Sequence, residues 1–139
     1  MKLQRSAASA AALMVVAGSL VSCGGPAKTA SDSEKTEPAH PWDWTPEDPT
    51  LLEGKEVYRQ ECALCHNEGE EGAPRLNEPE EWAKRSEKGI DAMVRKAIEG
   101  FIGPDGEMPA RGGSDYLTDE EMASAVEFMV AASEQALTN

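Results

Sequence analysis

The run "ECALCHNEG", residues 61–69, constrains the fold of this chain more than any other stretch. Two cysteines stand three positions apart, and a histidine follows the second one at once. This pattern is compatible with a thiol–disulfide switch, with half of a zinc site, or with an attachment point for haem. Because each possibility requires a different fold around the motif, the rest of the chain has to decide between them.

The composition is that of one modest domain with a small apolar core. The chain has 139 residues, of which 5% are aromatic, and its mean hydropathy is -0.52. It contains 26 acidic and 13 basic residues, so its formal charge is -13. Such a chain does not bind nucleic acid by neutralising phosphates, and we expect partners with basic protein surfaces. The two histidines, His40 and His66, leave little scope for acid–base catalysis.

The first 22 residues are predicted to be an export signal. Lys2 and Arg5 precede an apolar stretch that is too short to cross comfortably a bilayer that needs about 20 residues. The stretch ends in "LVSC", which resembles the lipobox of bacterial lipoproteins, where the signal is cut before the cysteine and a lipid is attached to its sulfur. The resemblance implies lipidation of Cys23. An ordinary cleaved signal and an uncleaved anchor are the alternatives.

Residues 23–47 are predicted to be a flexible, acidic and proline-rich tether. Five of the nine prolines lie between residues 26 and 49, among small and charged residues. Loss of the signal would remove Lys2 and Arg5 and change the net charge from -13 to -15. Trp42 and Trp44 are unusual in a tether, and we expect them to pack onto the following domain. A docking spot for a partner is the alternative.

Residues 48–139 are predicted to form an all-α domain. Asp48 is placed to cap a first helix with Pro49 in its first turn, and Thr50 with Glu53 offers an alternative capping box. This helix would place Cys62 and Cys65 on one face at its C-terminal end, and a loop would begin at His66. The residues that it would turn towards the core are Leu52, Val57 and Tyr58.

The remaining helices follow from proline and glycine punctuation and from apolar spacing. Pro79 opens a short helix through Trp82, and Gly89 and Gly100 bound the next one. A loop dense in glycine and proline extends from 101 to 116. The last helix has a capping box of Thr118 and Glu121, with Leu117 and Met122 placed as a hydrophobic staple. Its predicted core stripe is Met122, Ala125, Val126 and Met129, with Phe128 at the edge. No stretch shows strand alternation.

The predicted helices disfavour two of the three interpretations of the motif. A structural zinc site needs four ligands, and a fourth would have to come from Cys23 or His40 in the tether. A thioredoxin-like switch needs its cysteine pair at the start of a helix that follows a strand. Cys-x-x-Cys-His is also the attachment pattern of c-type haem, in which both thiols bind the porphyrin and the histidine faces the iron.

From Gly54 to about Ser133 the chain resembles class I c-type cytochromes, most closely the small bacterial cytochrome c5-like group. The segments that carry the resemblance are "GKEVYRQECALCH", "GAPRL", tryptophan 82, "GEMPARGG" and "YLTDEEMASAVEFM". The resemblance implies a small fold of three to four helices wrapped around one covalently attached haem. It also implies that Gly54 and Tyr58 pack the first helix against the last, with Ala125, Phe128 and Met129 as their partners.

The resemblance also implies the site residues. Cys62 and Cys65 would bind one haem c covalently, and His66 would be the proximal iron ligand, oriented by the carbonyl group of Pro74. Outside the signal, Met93, Met122 and Met129 occupy apolar helix stripes, where core packing explains them. Met108 lies in the loop rich in glycine and proline, and we predict that it is the second axial ligand. His40 is the alternative.

The function that follows is that of a membrane-tethered, extracytoplasmic electron carrier rather than an enzyme. An iron with histidine and methionine ligands has no vacant position for a substrate, and methionine favours the reduced state. We expect redox proteins as partners and no small-molecule substrate. Two alternatives are a cytochrome subunit of a dehydrogenase or oxidase complex and a haem sensor.

Overall fold

The structure, a computed structural model, describes residues 40–138. The helix α1 (Pro49–Val57) continues into a π-helical turn (Tyr58–Cys62) and then into α2 (Ala63–Glu68). The later elements are α3 (Pro79–Ser86), α4 (Ile90–Glu99), β1 (Phe101–Ile102), β2 (Glu107–Met108) and α5 (Asp119–Gln135). Short 3₁₀ turns lie at Pro41–Asp43, Glu70–Gly72 and Ala110–Gly113. The predicted all-α class is therefore confirmed, apart from two very short strands.

Asp48 begins α1, as the sequence predicted. Its carboxylate accepts hydrogen bonds from the backbone N–H groups of Thr50, at 2.8 Å, and Leu51, at 3.3 Å. Pro49 occupies the first turn, where a backbone N–H is not needed for helical hydrogen bonding. Because Thr50 lies inside the helix, the alternative capping box from Thr50 to Glu53 is not the one that begins it.

The helical conformation does not end at the cysteines, contrary to the prediction. In the π-helical turn the N–H of Ala63 donates to the carbonyl oxygen of Tyr58, and α2 then continues to Glu68. Residues 63–68 contain neither proline nor glycine, so nothing interrupts the helix before Gly69, whose φ of 79° is left-handed. The prediction that a loop begins at His66 is wrong for this reason, and His66 lies within α2.

Gly54 allows α1 and α5 to cross in backbone contact. A Cβ atom added to Gly54 would lie 2.0 Å from the carbonyl oxygen of Ser124 and 3.0 Å from the backbone nitrogen of Ala125. One turn later the rings of Tyr58 and Phe128 pack with their centroids 5.4 Å apart. The predicted packing of the first helix against the last is confirmed.

The start of α5 is also as predicted. The hydroxyl group of Thr118 accepts a hydrogen bond from the N–H of Glu121, and the Glu121 carboxylate accepts one from the N–H of Thr118. Leu117 and Met122, the predicted hydrophobic staple, are both buried in the same apolar cluster.

Two predicted positions in the core need correction. Phe128 is completely buried at the centre of the core rather than at the edge of the α5 stripe, because Tyr58 and Trp44 cover it from two sides. Leu52 is 44% exposed and does not contribute to the core. Gly54 lies on the side of α1 that faces α5. Residues two apart point to nearly opposite sides of a helix, so Leu52 is turned towards solvent.

The buried residues form two apolar clusters. The first consists of Tyr58, Cys62, Leu76, Trp82, Phe128, Met129 and Ala132. The second consists of Val57, Ala97, Leu117, Met122, Ala125 and Val126. Since Met93 contacts both clusters, α4 links the two halves of the core. None of the helices within residues 40–138 combines the length and the apolar character required to cross a bilayer.

The two strands form a small antiparallel ribbon that the sequence did not reveal. Phe101 pairs with Met108 and Ile102 with Glu107, and the N–H of Gly103 donates to the carbonyl oxygen of Gly106 at 2.9 Å to close the turn. Strands of two residues are too short to show a period of two in the sequence. Met108 therefore lies in a paired strand and not in an irregular loop.

Residues 41–46 pack against the helical core. The Trp44 ring stacks on Phe128 with centroids 6.2 Å apart, and Trp42 contacts the same cluster. The ammonium group of Lys55 donates to the backbone carbonyl groups of Asp43 and Trp44, at 3.2 and 2.8 Å. The prediction that both tryptophans pack onto the domain is confirmed, and the packed region begins before Asp48.

Candidate functional site

The two cysteines of the motif lie in different local environments. Cys62, at the end of the π-helical turn, is buried in the first apolar cluster, whereas Cys65 in α2 is half-buried. Both are free thiols in the structure. Burial raises the pKa of Cys62 to about 11, and the charge of Glu61 acts in the same direction. A thiol of this kind is a poor nucleophile at neutral pH, so the environment of Cys62 is unlike that of a thiol–disulfide switch.

His66 is buried, and one side of its ring is committed to a hydrogen bond. Its Nδ1 lies 2.8 Å from the carbonyl oxygen of Pro74, and its own carbonyl group accepts from the N–H of Leu76 at 3.1 Å. A carbonyl oxygen only accepts, so Nδ1 carries the proton and Nε2 keeps its lone pair. Burial lowers the pKa of His66, although the hydrogen bond to Pro74 acts in the opposite direction. The lowered pKa favours the neutral imidazole, which is the form that binds a metal.

Trp82 supports the segment that carries Pro74, a role that the sequence prediction did not assign to it. Its indole N–H donates to the carbonyl oxygen of Arg75 at 2.7 Å, and its ring centroid lies 5.9 Å from that of His66. The next residue, Leu76, is completely buried. The sequence gives no signal for the contacts of Trp82 with Arg75 and His66. Both contacts depend on how residues 69–78 fold back between α2 and α3.

The methionines divide as the sequence predicted. Met122 and Met129 are buried in the two clusters, and the sulfur of the half-buried Met93 lies 3.9 Å from the Ser86 hydroxyl group. Met108 is half-buried and contacts the second cluster from its position at the end of the ribbon. The prediction of core roles for the three helical methionines is confirmed, while the role of Met108 as a ligand stays a prediction.

The other predicted ligands and attachment sites have different outcomes. His40 is exposed and stacks on Trp42, with centroids 4.5 Å apart. Cys23, together with the predicted signal and most of the predicted tether, lies outside the described residues. Within residues 40–138, no three side chains of His, Cys, Asp or Glu are grouped so that they could hold a metal ion.

Comparison with known proteins decides the family. Residues 49–129 match the family described as "Cytochrome C oxidase, cbb3-type, subunit III". Cytochrome c-555 of Chlorobaculum thiosulfatiphilum is 42% identical over 80 residues, which are 58% of this chain and 93% of the relative. Cytochrome c5 of Ectopseudomonas mendocina is 29% identical over 76 residues, which are 53% of this chain and 83% of the relative. The chain belongs to the class I c-type cytochromes.

A solved structure agrees with this c-type cytochrome in fold. The crystal structure of an electron transfer complex of nitrite reductase with cytochrome c contains a chain with 31% sequence identity and a TM-score of 0.52. The match covers 62% of this chain and 96% of the solved one. The small class I cytochrome fold is therefore confirmed. The protein is a monohaem electron-transfer cytochrome with covalently bound haem c, and not an enzyme.

The side chains of this cytochrome fit a covalently attached haem c. Cys62 and Cys65 are free thiols, and the His66 imidazole has an Nε2 that its hydrogen bond to Pro74 leaves available. Met108 has a thioether sulfur, which is a weak neutral donor, and its role as a ligand stays a prediction. When bound, haem c supplies an iron that gains or loses one electron.

Proposed function

We propose that this cytochrome is a lipid-anchored electron carrier whose haem is held by Cys62 and Cys65, with His66 and Met108 as the axial iron ligands. The observation that carries the proposal is the 2.8 Å hydrogen bond between Nδ1 of His66 and the carbonyl oxygen of Pro74. It fixes the plane of the imidazole ring and reserves Nε2 for the iron. The thiols at positions 62 and 65 precede this imidazole in the order that covalent haem attachment requires.

The backbone around Met108 favours it as the second ligand. Met108 ends β2, and its partner across the ribbon is Phe101, which follows Gly100. A Cβ atom on Gly100 would lie 3.1 Å from the Met108 carbonyl oxygen, so the glycine allows the two segments to approach closely. The side chain of Met108 lies at the border of the second cluster, whereas the sulfurs of Met122 and Met129 lie within the core.

Two axial ligands from the protein explain why an electron carrier is favoured over a haem sensor. A sensor needs an open or easily vacated position on the iron, and histidine with methionine leaves none. His66 is restrained by Pro74 and by the packing of Trp82, so little rearrangement has to accompany the loss or gain of one electron.

We place the anchor at Cys23. Class I cytochromes c are extracytoplasmic, and this cytochrome shares that location. The similarity of "LVSC" to a lipobox supports cleavage after residue 22 and lipidation of Cys23. The predicted division into a tether of residues 23–47 and a cytochrome domain of residues 48–139 needs one change: residues 41–46 pack on the core, so the tether would end near residue 40. One acyl chain binds a membrane only marginally, whereas two or three anchor it stably.

The redox partners of this cytochrome would present basic docking surfaces. Redox proteins are its partners as a class, and a charge of -13 for the whole chain favours a positively charged patch on them. The acidic residues 68, 70 and 71 follow shortly after the haem motif. Acidic residue 105 lies in the turn of the ribbon that bears Met108, and acidic residue 107 lies in its second strand. Attraction of this kind speeds encounter more than it tightens the complex.

A second candidate function is that of a cytochrome subunit within a larger oxidase or dehydrogenase complex. The family description, which names an oxidase subunit, is the observation that favours it. The carrier is preferred because the named relatives c-555 and c5 are matched over 93% and 83% of their own length by the cytochrome domain alone. Co-purification of the native protein with a catalytic chain would favour the subunit.

Replacement of Met108 by alanine tests the ligand set. The protein should be made with a haem-attachment system, and denatured wild-type protein should retain the mass of one haem. In the Met108→Ala variant we expect the near-infrared methionine–iron band to disappear and the reduced iron to bind carbon monoxide. Met122→Ala, the matched control, should keep the band and lower the free energy of unfolding by about 2–5 kcal/mol. A band that survives in Met108→Ala would show that another residue is the ligand.

A further inference from the structure

Glu61 joins the haem-attachment helix to the segment that follows Met108. It lies in the π-helical turn, directly before Cys62. One of its carboxylate oxygens accepts a hydrogen bond from the hydroxyl group of Ser114, and the other accepts one from the hydroxyl group of Tyr116. These partners are 53 and 55 residues away in sequence, so the contact is purely tertiary.

The segment that Glu61 holds is residues 109–117, which we call the Met108 segment. Within it, Arg111 has a φ of 53° and donates from one guanidinium nitrogen to the carbonyl oxygen of Leu117 at 2.7 Å. A second nitrogen pairs with the Asp119 carboxylate at 2.5 Å, at the start of α5. Arg111, three residues after Met108, therefore ties the first part of the segment to the start of α5, and the segment itself begins at the peptide bond to Met108.

The middle of the Met108 segment is held against the π-helical turn by Glu61. A Cβ atom on Gly112 would lie 3.5 Å from the carbonyl oxygen of Glu61, so the two backbones approach closely there. The Tyr116 side chain is 68% exposed, which means that burial contributes little to its position. The hydrogen bond to Glu61 is then the main interaction that fixes the ring.

We propose that Glu61 is a positioning residue for Met108: through Ser114 and Tyr116 it holds the Met108 segment against the helix of Cys62 and His66, and so opposes dissociation of the methionine from the iron. The inference rests on the proposed function, because it requires Met108 to be the ligand. With Glu61 removed, the segment keeps its tie to Asp119 but can move away from the haem motif, and Met108 moves with it.

The chemistry of the contact suits this role. One carboxylate accepts from two hydroxyl groups at once, and hydrogen bonds to a charged acceptor are stronger than those between neutral groups. The hydrogen bonds from Ser114 and Tyr116 lower the pKa of Glu61, and the carboxylate raises the pKa of Tyr116. At neutral pH the acceptor is therefore charged and the phenol is protonated, the states in which both bonds form.

Displacement of Met108 by imidazole provides the test. The oxidised, haem-loaded full chain would be titrated with imidazole while the near-infrared methionine–iron band is followed. We expect Glu61→Ala to bind imidazole about fivefold more tightly than the wild type. Glu56→Ala is the matched control, since Glu56 is exposed and lies five residues earlier, and among residues 40–138 its carboxylate pairs only with Arg59, at 3.0 Å. This control should bind imidazole as the wild type does.

A second set of variants separates positioning from general loss of stability. Tyr116→Phe combined with Ser114→Ala keeps Glu61 but removes both donors, and it should reproduce the effect of Glu61→Ala. Adding Glu61→Ala to that double variant should then change imidazole affinity no further. Equal imidazole affinity in Glu61→Ala, Glu56→Ala and the wild type would overturn the inference, as would additive effects in the combined variant.

The outcome for Met108→Ala distinguishes this inference from the proposed function. If that variant loses the band while Glu61→Ala leaves imidazole affinity unchanged, only the role of Glu61 is wrong. If Met108→Ala keeps the band, the ligand assignment itself fails and the role of Glu61 fails with it. Should Glu61→Ala not fold, Tyr116→Phe alone carries the test, because its exposed ring makes the substitution mild.

Discussion

Substitution of Gly54 by alanine should strongly destabilise the protein although it adds only one methyl group. The new Cβ atom would lie 2.0 Å from the carbonyl oxygen of Ser124, and an ordinary contact begins at 3.4 Å. The two helices would have to separate by roughly 1.4 Å, the difference between these distances, because the obstructing atoms are backbone. This shift would also loosen the packing of Tyr58 on Phe128, whose centroids are 5.4 Å apart.

The magnitude follows from two opposing effects. Over-packing of a core contact costs about 1–3 kcal/mol and occasionally more, and a clash between two backbones is at the upper end. Alanine is favoured over glycine in a helix by about 1 kcal/mol, which offsets part of that cost. We therefore expect the free energy of unfolding to fall by about 2–3 kcal/mol in Gly54→Ala.

Guanidinium unfolding of the haem-loaded protein, followed by far-ultraviolet circular dichroism, measures this change. Leu52→Ala is the matched control in the same helix, because Leu52 is 44% exposed and should cost less than about 1 kcal/mol. A Gly54→Ala variant as stable as the wild type would refute the reasoning, since it would mean that the crossing of α1 and α5 is wider than the structure has it.

Three further predictions concern the anchor, docking and the support of His66. Cys23→Ser should release the protein from membranes into a soluble exported fraction or block its processing; a processed variant that stays fully membrane-bound would point to protein contacts instead. Electron transfer from the soluble domain to a purified partner should slow severalfold as ionic strength rises, because ions screen charges over about 8 Å at physiological salt. A rate that is independent of salt would show that electrostatic attraction does not speed the encounter. Trp82→Phe keeps an aromatic ring against His66 but removes the 2.7 Å hydrogen bond to the Arg75 carbonyl group, so the free energy of unfolding should fall by about 1 kcal/mol in chemical denaturation. An unchanged midpoint would mean that the indole N–H does not support the segment of Pro74.

Local signals in the sequence predicted most of the elements and the order of the site residues. The Asp48 cap, the Thr118–Glu121 capping box and the glycines at positions 89 and 100 each act through the backbone of their own turn, so a single sequence is enough to read them. The haem motif is equally local, because covalent attachment requires two thiols and an imidazole at fixed spacing.

Features that depend on contacts distant in sequence could not be predicted. The burial of Phe128 depends on Trp44 and Tyr58, which lie 84 and 70 residues before it in the chain. The exposure of Leu52 depends on which face of α1 meets α5, and the π-helical turn moves the cysteines relative to a regular helix. Helix propensities and turn residues do not predict the burial of Phe128, the exposure of Leu52 or the position of the cysteines, because tertiary packing determines them.

By itself, the sequence determined that this chain has a c-type haem motif, an all-α domain around it and a methionine outside the helical core stripes. Only the tertiary structure decided how these parts support one another. The Glu61 bonds to Ser114 and Tyr116 join segments that are 53 and 55 residues apart, and the Trp82 bond to Arg75 forms because the segment before α3 folds back on that helix. Hydrogen bonds act over about 3 Å, so such pairs exist only after the backbone has folded.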